Sequence, residues 1–134
     1  MLWGARAERS GYAWGSIART GAVLAFGTDA PVEPFDPWPG IALAVRREDP
    51  RWPAGSPAFA QAEALSLDRA LRAACLDPAV TAHEPDRGRL TVGQRADLAV
   101  IPAAALREPV EPGGALATAR PSLVLMDGRV VFEA

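Results

Sequence analysis

The run Ala22-Val23-Leu24-Ala25-Phe26-Gly27 constrains this chain more than any other feature. It has the length of a strand, yet polar and apolar residues do not alternate along it. A strand covered on both faces reads this way, as an inner strand of a parallel sheet or barrel does. Thr28, Asp29, Ala30 and Pro31 follow directly, where polarity returns and proline ends any ladder. Such a strand needs neighbours on both edges.

Helices surround the run. Trp14 to Arg19 reads as a short helix stopped by Thr20 and Gly21. Val32 to Pro39 is a rigid loop with three prolines and two carboxylates, Glu33 and Asp36. Gly40 to Arg46 suggests another short helix, packing through Ile41, Leu43 and Val45. Arg47 to Ala64 has no convincing period, and an irregular excursion of that length is usually functional or mobile. Ser66 is a good N-cap, with Asp68 in the positive first turn. The helix it opens runs to about Leu76, with Leu67, Ala70, Leu71, Ala74 and Cys75 as one apolar stripe. Asp77-Pro78 repeats the start signal and predicts a second, shorter helix reaching His83.

Beyond Pro85 the pattern changes. Gly88 to Val92 reads as a strand, Gly93-Gln94 as a turn, and Asp97 to Ile101 as a second strand. Ser122 to Met126 and Arg129 to Phe132 flank Asp127-Gly128, a dipeptide suited to a two-residue hairpin turn.

Composition narrows the function. The 134 residues fit one domain, and 49% of them are hydrophobic, enough for a core. A net charge of -2 gives no electrostatic case for a nucleic-acid partner. No apolar run approaches the ~18 residues of a membrane span. Met1 to Arg6 lacks a signal-like pattern, so a cytoplasmic location is the expectation. The single cysteine, Cys75, excludes an intramolecular disulfide and a multi-cysteine metal site, and reads as a small buried side chain.

Gly27-Thr28-Asp29-Ala30-Pro31-Val32, following a buried strand, resembles the eighth barrel strand of the amidohydrolase superfamily. The resemblance is closest to the branch of N-acyl-amino-acid and formamide hydrolases. Leu65 to Ala73 followed by Asp77-Pro78-Ala79 resembles the family's closing barrel helices. Gly88 to Val100 resembles the return to a small β domain, and Val124 to Val131 its last hairpin. These segments occur in the family's order and cover most of the chain.

The resemblance implies an α/β fold, the carboxy-terminal part of a (β/α)8 TIM-type barrel with terminal strands of a small β domain. In isolation this is expected to read as α+β. Residues 1–84 would be the partial barrel and residues 85–134 the β-domain strands. The implied chemistry is metal-dependent hydrolysis of an amide or related C–N bond, with zinc or another divalent metal in the full-length family. Asp29 matches the aspartate at the carboxyl end of the last strand, where barrel active sites lie. It would bind or approach the metal and move a proton between water and leaving group.

The family's other metal ligands come from earlier strands that this sequence does not contain. It has no lysine, and its one histidine, His83, follows the closing helices. Asp29 is therefore a metal ligand only if those strands are supplied, and the expectation for this chain alone is no bound metal and no activity. Glu33 and Asp36 read as solvent-facing loop carboxylates, His83 as a cap or surface residue, and Asp97 as a structural carboxylate binding backbone donors. Tyr12, Trp14, Phe35, Trp38 and Trp52 are candidates to line a substrate cleft, with packing as the alternative. The expected partner is the missing amino-terminal barrel portion or a second copy of the chain. Three readings stay open: a fragment of a hydrolase, a stand-alone structural or dimerisation domain, and one chain of a two-chain enzyme.

Overall fold

The computed structural model describes residues 4–107, 110–111 and 113–134, so the first part of the Met1 to Arg6 segment lies outside the described residues. Among these residues four α-helices precede a three-stranded sheet: α1 (Ala5–Ser10), α2 (Trp14–Arg19), α3 (Trp38–Arg46) and α4 (Leu67–Thr81), then β1 (Leu98–Val100), β2 (Leu123–Met126) and β3 (Arg129–Glu133). The class is α+β. No barrel forms.

The core lies between α3 and α4. Ile41, Ala42 and Ala44 meet Leu65, Leu67 and Ala70, with Val110 and Leu116 completing the cluster. The small side chains Ala44 and Ala70 are fully buried and let the helices approach closely. Ser66 caps α4 as expected: its hydroxyl accepts from the Arg69 N–H at 3.2 Å.

Four sequence expectations need correction. First, Ala22 to Phe26 is extended but pairs with no strand among the described residues. Leu24 and Phe26 pack on the core, whereas Val23 on the opposite face is 48% exposed. Its one backbone–backbone hydrogen bond to another element among the described residues runs from the Phe26 N–H to the Ala73 carbonyl at 2.8 Å. The segment is built for two covered faces, and only one is covered here.

Second, Asp77-Pro78 does not restart a helix. α4 runs through Pro78 as one element of 15 residues. Proline removes a single helical donor, and the turn is tied instead by buried Asp77, which accepts from Arg69 at 2.7 Å and Arg72 at 3.1 Å. Third, Cys75 is exposed rather than buried. The extended segment lies on the Ala73 side of α4, so the buried positions are Leu67, Ala70, Ala73, Asp77 and Ala79.

Fourth, Gly88 to Val92 is a loop. Gly88 has φ +79°, and a Cβ there would come within 2.9 Å of the Cys75 carbonyl, so glycine permits this loop to lie against α4. Leu90 is 84% exposed and Val92 fully so, without the partner strand their pattern anticipates.

The sheet itself follows the sequence pattern. It is antiparallel, with β2 between β1 and β3. Asp127 and Gly128 both have positive φ, 52° and 75°, matching the primed turn that a two-residue hairpin favours. Asp97 accepts from the Asp127 N–H at 2.7 Å, the backbone-binding role expected of it. A bulge lies in β3 opposite Val124 and Leu125, and every residue of β3 is exposed.

Candidate functional site

Asp29 sits where the sequence predicts, immediately beyond the extended segment. It opens a turn in which its carbonyl accepts from the Val32 N–H at 2.9 Å, and its own φ is 54°. The left-handed conformation is tolerated by aspartate better than by most residues. The side chain is exposed, with no hydrogen-bond or ionic partner among the described residues.

Beside this turn lies a cleft of about 470 Å³, which includes Gly27 and Thr28 in its lining. Its apolar floor comes from Trp14, Phe26, Ile41, Leu43, Ala74 and Ala117. Trp14 is the firmest part of the wall. Its ring centroid is 5.1 Å from that of Phe26 and 5.5 Å from that of Tyr12, and the Arg47 guanidinium lies 4.8 Å from it.

Arg47 is the hub behind that wall. Only 3% exposed, it donates to the Phe59 carbonyl and to the Gly11 carbonyl, each at 2.9 Å, and also sits 5.7 Å from the Phe59 ring. Burial lowers the guanidinium pKa from its ordinary value, opposed by nearby Glu63 and Tyr12. Glu63 in turn grips α2. The Ser16 N–H and hydroxyl donate to its two carboxylate oxygens at 2.6 Å each. The hydroxyl bond, then the N–H bond, hold the Glu63 carboxyl below its usual range, with burial opposing and Arg19 and Arg47 assisting. Gly11 belongs to this assembly by necessity, since a Cβ there would fall 2.6 Å from the Phe59 ring.

Of the aromatic candidates, Trp14 lines the cleft. Tyr12 and Phe35 are 71% and 86% exposed, Trp38 packs against the core, and Trp52 borders a separate hollow with Phe59. The loop carboxylates do not join Asp29. Asp36 pairs with Arg120 at 2.8 Å and accepts from the Trp38 N–H at 3.1 Å, while Glu33 lies 4.0 Å from Arg51. Arg51 also chelates Asp49 at 2.6 Å, and this bond chiefly holds Asp49 below the carboxylate range.

His83 ends α4 in a left-handed conformation, φ 59°. Its N–H bonds the Val80 carbonyl at 3.2 Å, and the Glu84 N–H bonds the Ala79 carbonyl at 2.9 Å. This is a Schellman cap, usually built on glycine. Although Cys75 is exposed, desolvation by the atoms around its sulfur pushes the thiol pKa up from its ordinary value. Among the described residues no group of three or more His, Cys, Asp or Glu side chains is placed to hold a metal ion. The donors among the described residues do not fit the divalent-metal site that the resemblance implies. The Arg47–Glu63–Ser16 cluster went unforeseen, because its contacts join positions up to 47 residues apart and leave no local pattern.

An apolar segment ending in an aspartate, helices before and after it, and a three-stranded antiparallel sheet make up a small α+β chain. The family described as "Amidohydrolase family" matches residues 3–132, and the chain belongs to it. It is also 32% identical over 94 residues to the candidate amidohydrolase YtcJ of Bacillus subtilis (strain 168). That match takes in 69% of this chain and 18% of the relative, so the matched stretch spans less than a fifth of YtcJ. No solved structure matches the chain significantly. No helix among the described residues is long and apolar enough to cross a membrane.

Proposed function

We propose that this chain is the carboxy-terminal portion of a metal-dependent amidohydrolase acting on amide or related C–N bonds, and that it is inactive by itself. Residues 1–84 contribute the last barrel strand and its helices, and residues 85–134 the terminal strands of a small β domain. In this reading Asp29 is the carboxylate that the assembled enzyme places beside its reacting centre. The observation that carries it is the state of residues 22–28. This segment is extended, packed on one face only, and, among the described residues, without a strand partner; the aspartate it delivers to the surface has no partner among them either. A barrel strand stripped of both neighbours has these properties.

The partner is accordingly an amino-terminal barrel portion carrying the remaining metal ligands, encoded upstream in frame or by a separate gene. The test is to read the DNA immediately upstream, join any such segment to this chain, and measure hydrolysis of an N-acyl amino acid. The joined protein is expected to turn over substrate, and its Asp29→Ala variant to lose roughly a hundredfold or more, the span of general acid–base catalysis. A joined protein that folds, binds zinc and is unaffected by Asp29→Ala would refute the role given to Asp29.

A further inference from the structure

The cleft beside the Asp29 turn has a property that the catalytic reading does not use. Its volume of about 470 Å³ falls within the range of small-molecule sites, roughly 300–1,000 Å³. Its aromatic wall is fixed in advance, because Trp14 is held by Phe26 and by the Arg47 guanidinium, itself tied to two backbone carbonyls. A wall fixed before the ligand arrives reduces the ordering cost of binding.

The rim decides the sign of the ligand. Four carboxylates line it, Glu33, Asp36, Glu48 and Asp49, with Arg51 as the cation among the lining residues. Three are matched by arginines at close range: Asp36 by Arg120 at 2.8 Å, Glu48 by Arg46 at 3.1 Å, and Asp49 by Arg51 at 2.6 Å. Among the described residues Glu33 has only the same Arg51, at 4.0 Å. One carboxylate charge is thus left over above an apolar, aromatic floor.

We infer that this cleft binds small apolar amines, with the hydrocarbon body against Trp14 and Phe26 and the ammonium group toward Glu33. The site belongs to this chain alone and stands whether or not the catalytic role of Asp29 holds. Glu33 is 59% exposed at its side chain, so its contribution is screened and salt-dependent. The sign preference is therefore modest.

The experiment titrates the 134-residue chain with 2-phenylethylamine, 2-phenylethanol and 3-phenylpropanoate at low salt and pH 7. It follows the Trp14 indole N–H by NMR. The amine is expected to bind about two- to fivefold more tightly than the alcohol, the span an exposed ion pair supports, and the carboxylate most weakly. Glu33→Gln should erase the difference between amine and alcohol while leaving alcohol binding unchanged. Gly40→Leu should abolish all three, because Gly40 lines the cleft and a Cβ there meets nothing within 4 Å, so the fold accepts it. Equal binding of amine and alcohol by the wild-type chain, a preference that survives Glu33→Gln, or no saturable binding at all would each overturn the inference.

Discussion

Replacing Arg47 with methionine isolates the interaction that holds the helical half together. Methionine keeps the apolar stem and does not change the backbone problem, since both residues must adopt the positive φ of 60° found there. The substitution removes two charge-assisted hydrogen bonds, to the Phe59 and Gly11 carbonyls. Each is worth about 1.5–3 kcal/mol. It also removes two cation–π contacts, at 4.8 and 5.7 Å, each worth about 0.5–1 kcal/mol. Against this gross loss stands the cost of burying the charge, the largest influence on Arg47. Methionine recovers that cost and retains much of the packing. The net expectation is a loss of about 3 kcal/mol, a sizeable part of the roughly 5–15 kcal/mol of a typical domain. Urea unfolding followed by tryptophan fluorescence measures it. Trp14 lies under the guanidinium, so its native emission should change as well. A loss below about 1 kcal/mol with unchanged emission would show that the clamp is incidental and the α3–α4 core sufficient.

Three further outcomes follow from the same structure. Glu63 has a lowered folded pKa, so its contribution is fully present above its ordinary value of 4.5 and is lost as pH falls through the folded value. Acid unfolding of Glu63→Gln should therefore show a flatter pH dependence below about pH 4.5 than the wild type, and identical slopes would contradict the assignment. Ser66→Ala should cost about 1 kcal/mol by thermal unfolding, the usual value of an N-cap, and no change would mean that α4 starts elsewhere. Val100, Met126, Val130, Val131 and Phe132 expose apolar surface on a sheet with open edges. Light scattering at micromolar concentration should consequently report a dimer or larger species, and a well-behaved monomer would contradict that expectation.

Signals that act over a few residues were legible in the sequence. The Ser66 cap and the Asp127-Gly128 turn depend on contacts within one turn of chain, so residue type and spacing suffice to find them. The extended run at Ala22 was legible as a shape but not as an environment. Its composition records two covered faces, whereas the chain covers one. Cys75 was misplaced because periodicity gives the width of a helix's apolar arc and not its orientation. That orientation was set by the segment crossing at Ala73. His83 was correctly read as a helix-end residue, but nothing local announced that it would take the left-handed cap position instead of glycine. Asp29 could be located from its motif. The Arg47 and Glu63 cluster that stiffens the wall of the neighbouring cleft could not, since its charged members lie in a stretch without period.

The most direct test of the central claim is zinc content and hydrolytic activity of the purified 134-residue chain. It should be prepared with added zinc beside an Asp29→Ala variant and assayed with an N-acyl amino acid. A single exposed carboxylate leaves a divalent ion mostly hydrated and weakly held, so substoichiometric zinc and no turnover are predicted for both proteins. Stoichiometric zinc with measurable turnover, both lost in Asp29→Ala, would contradict the account and make the chain an enzyme in its own right.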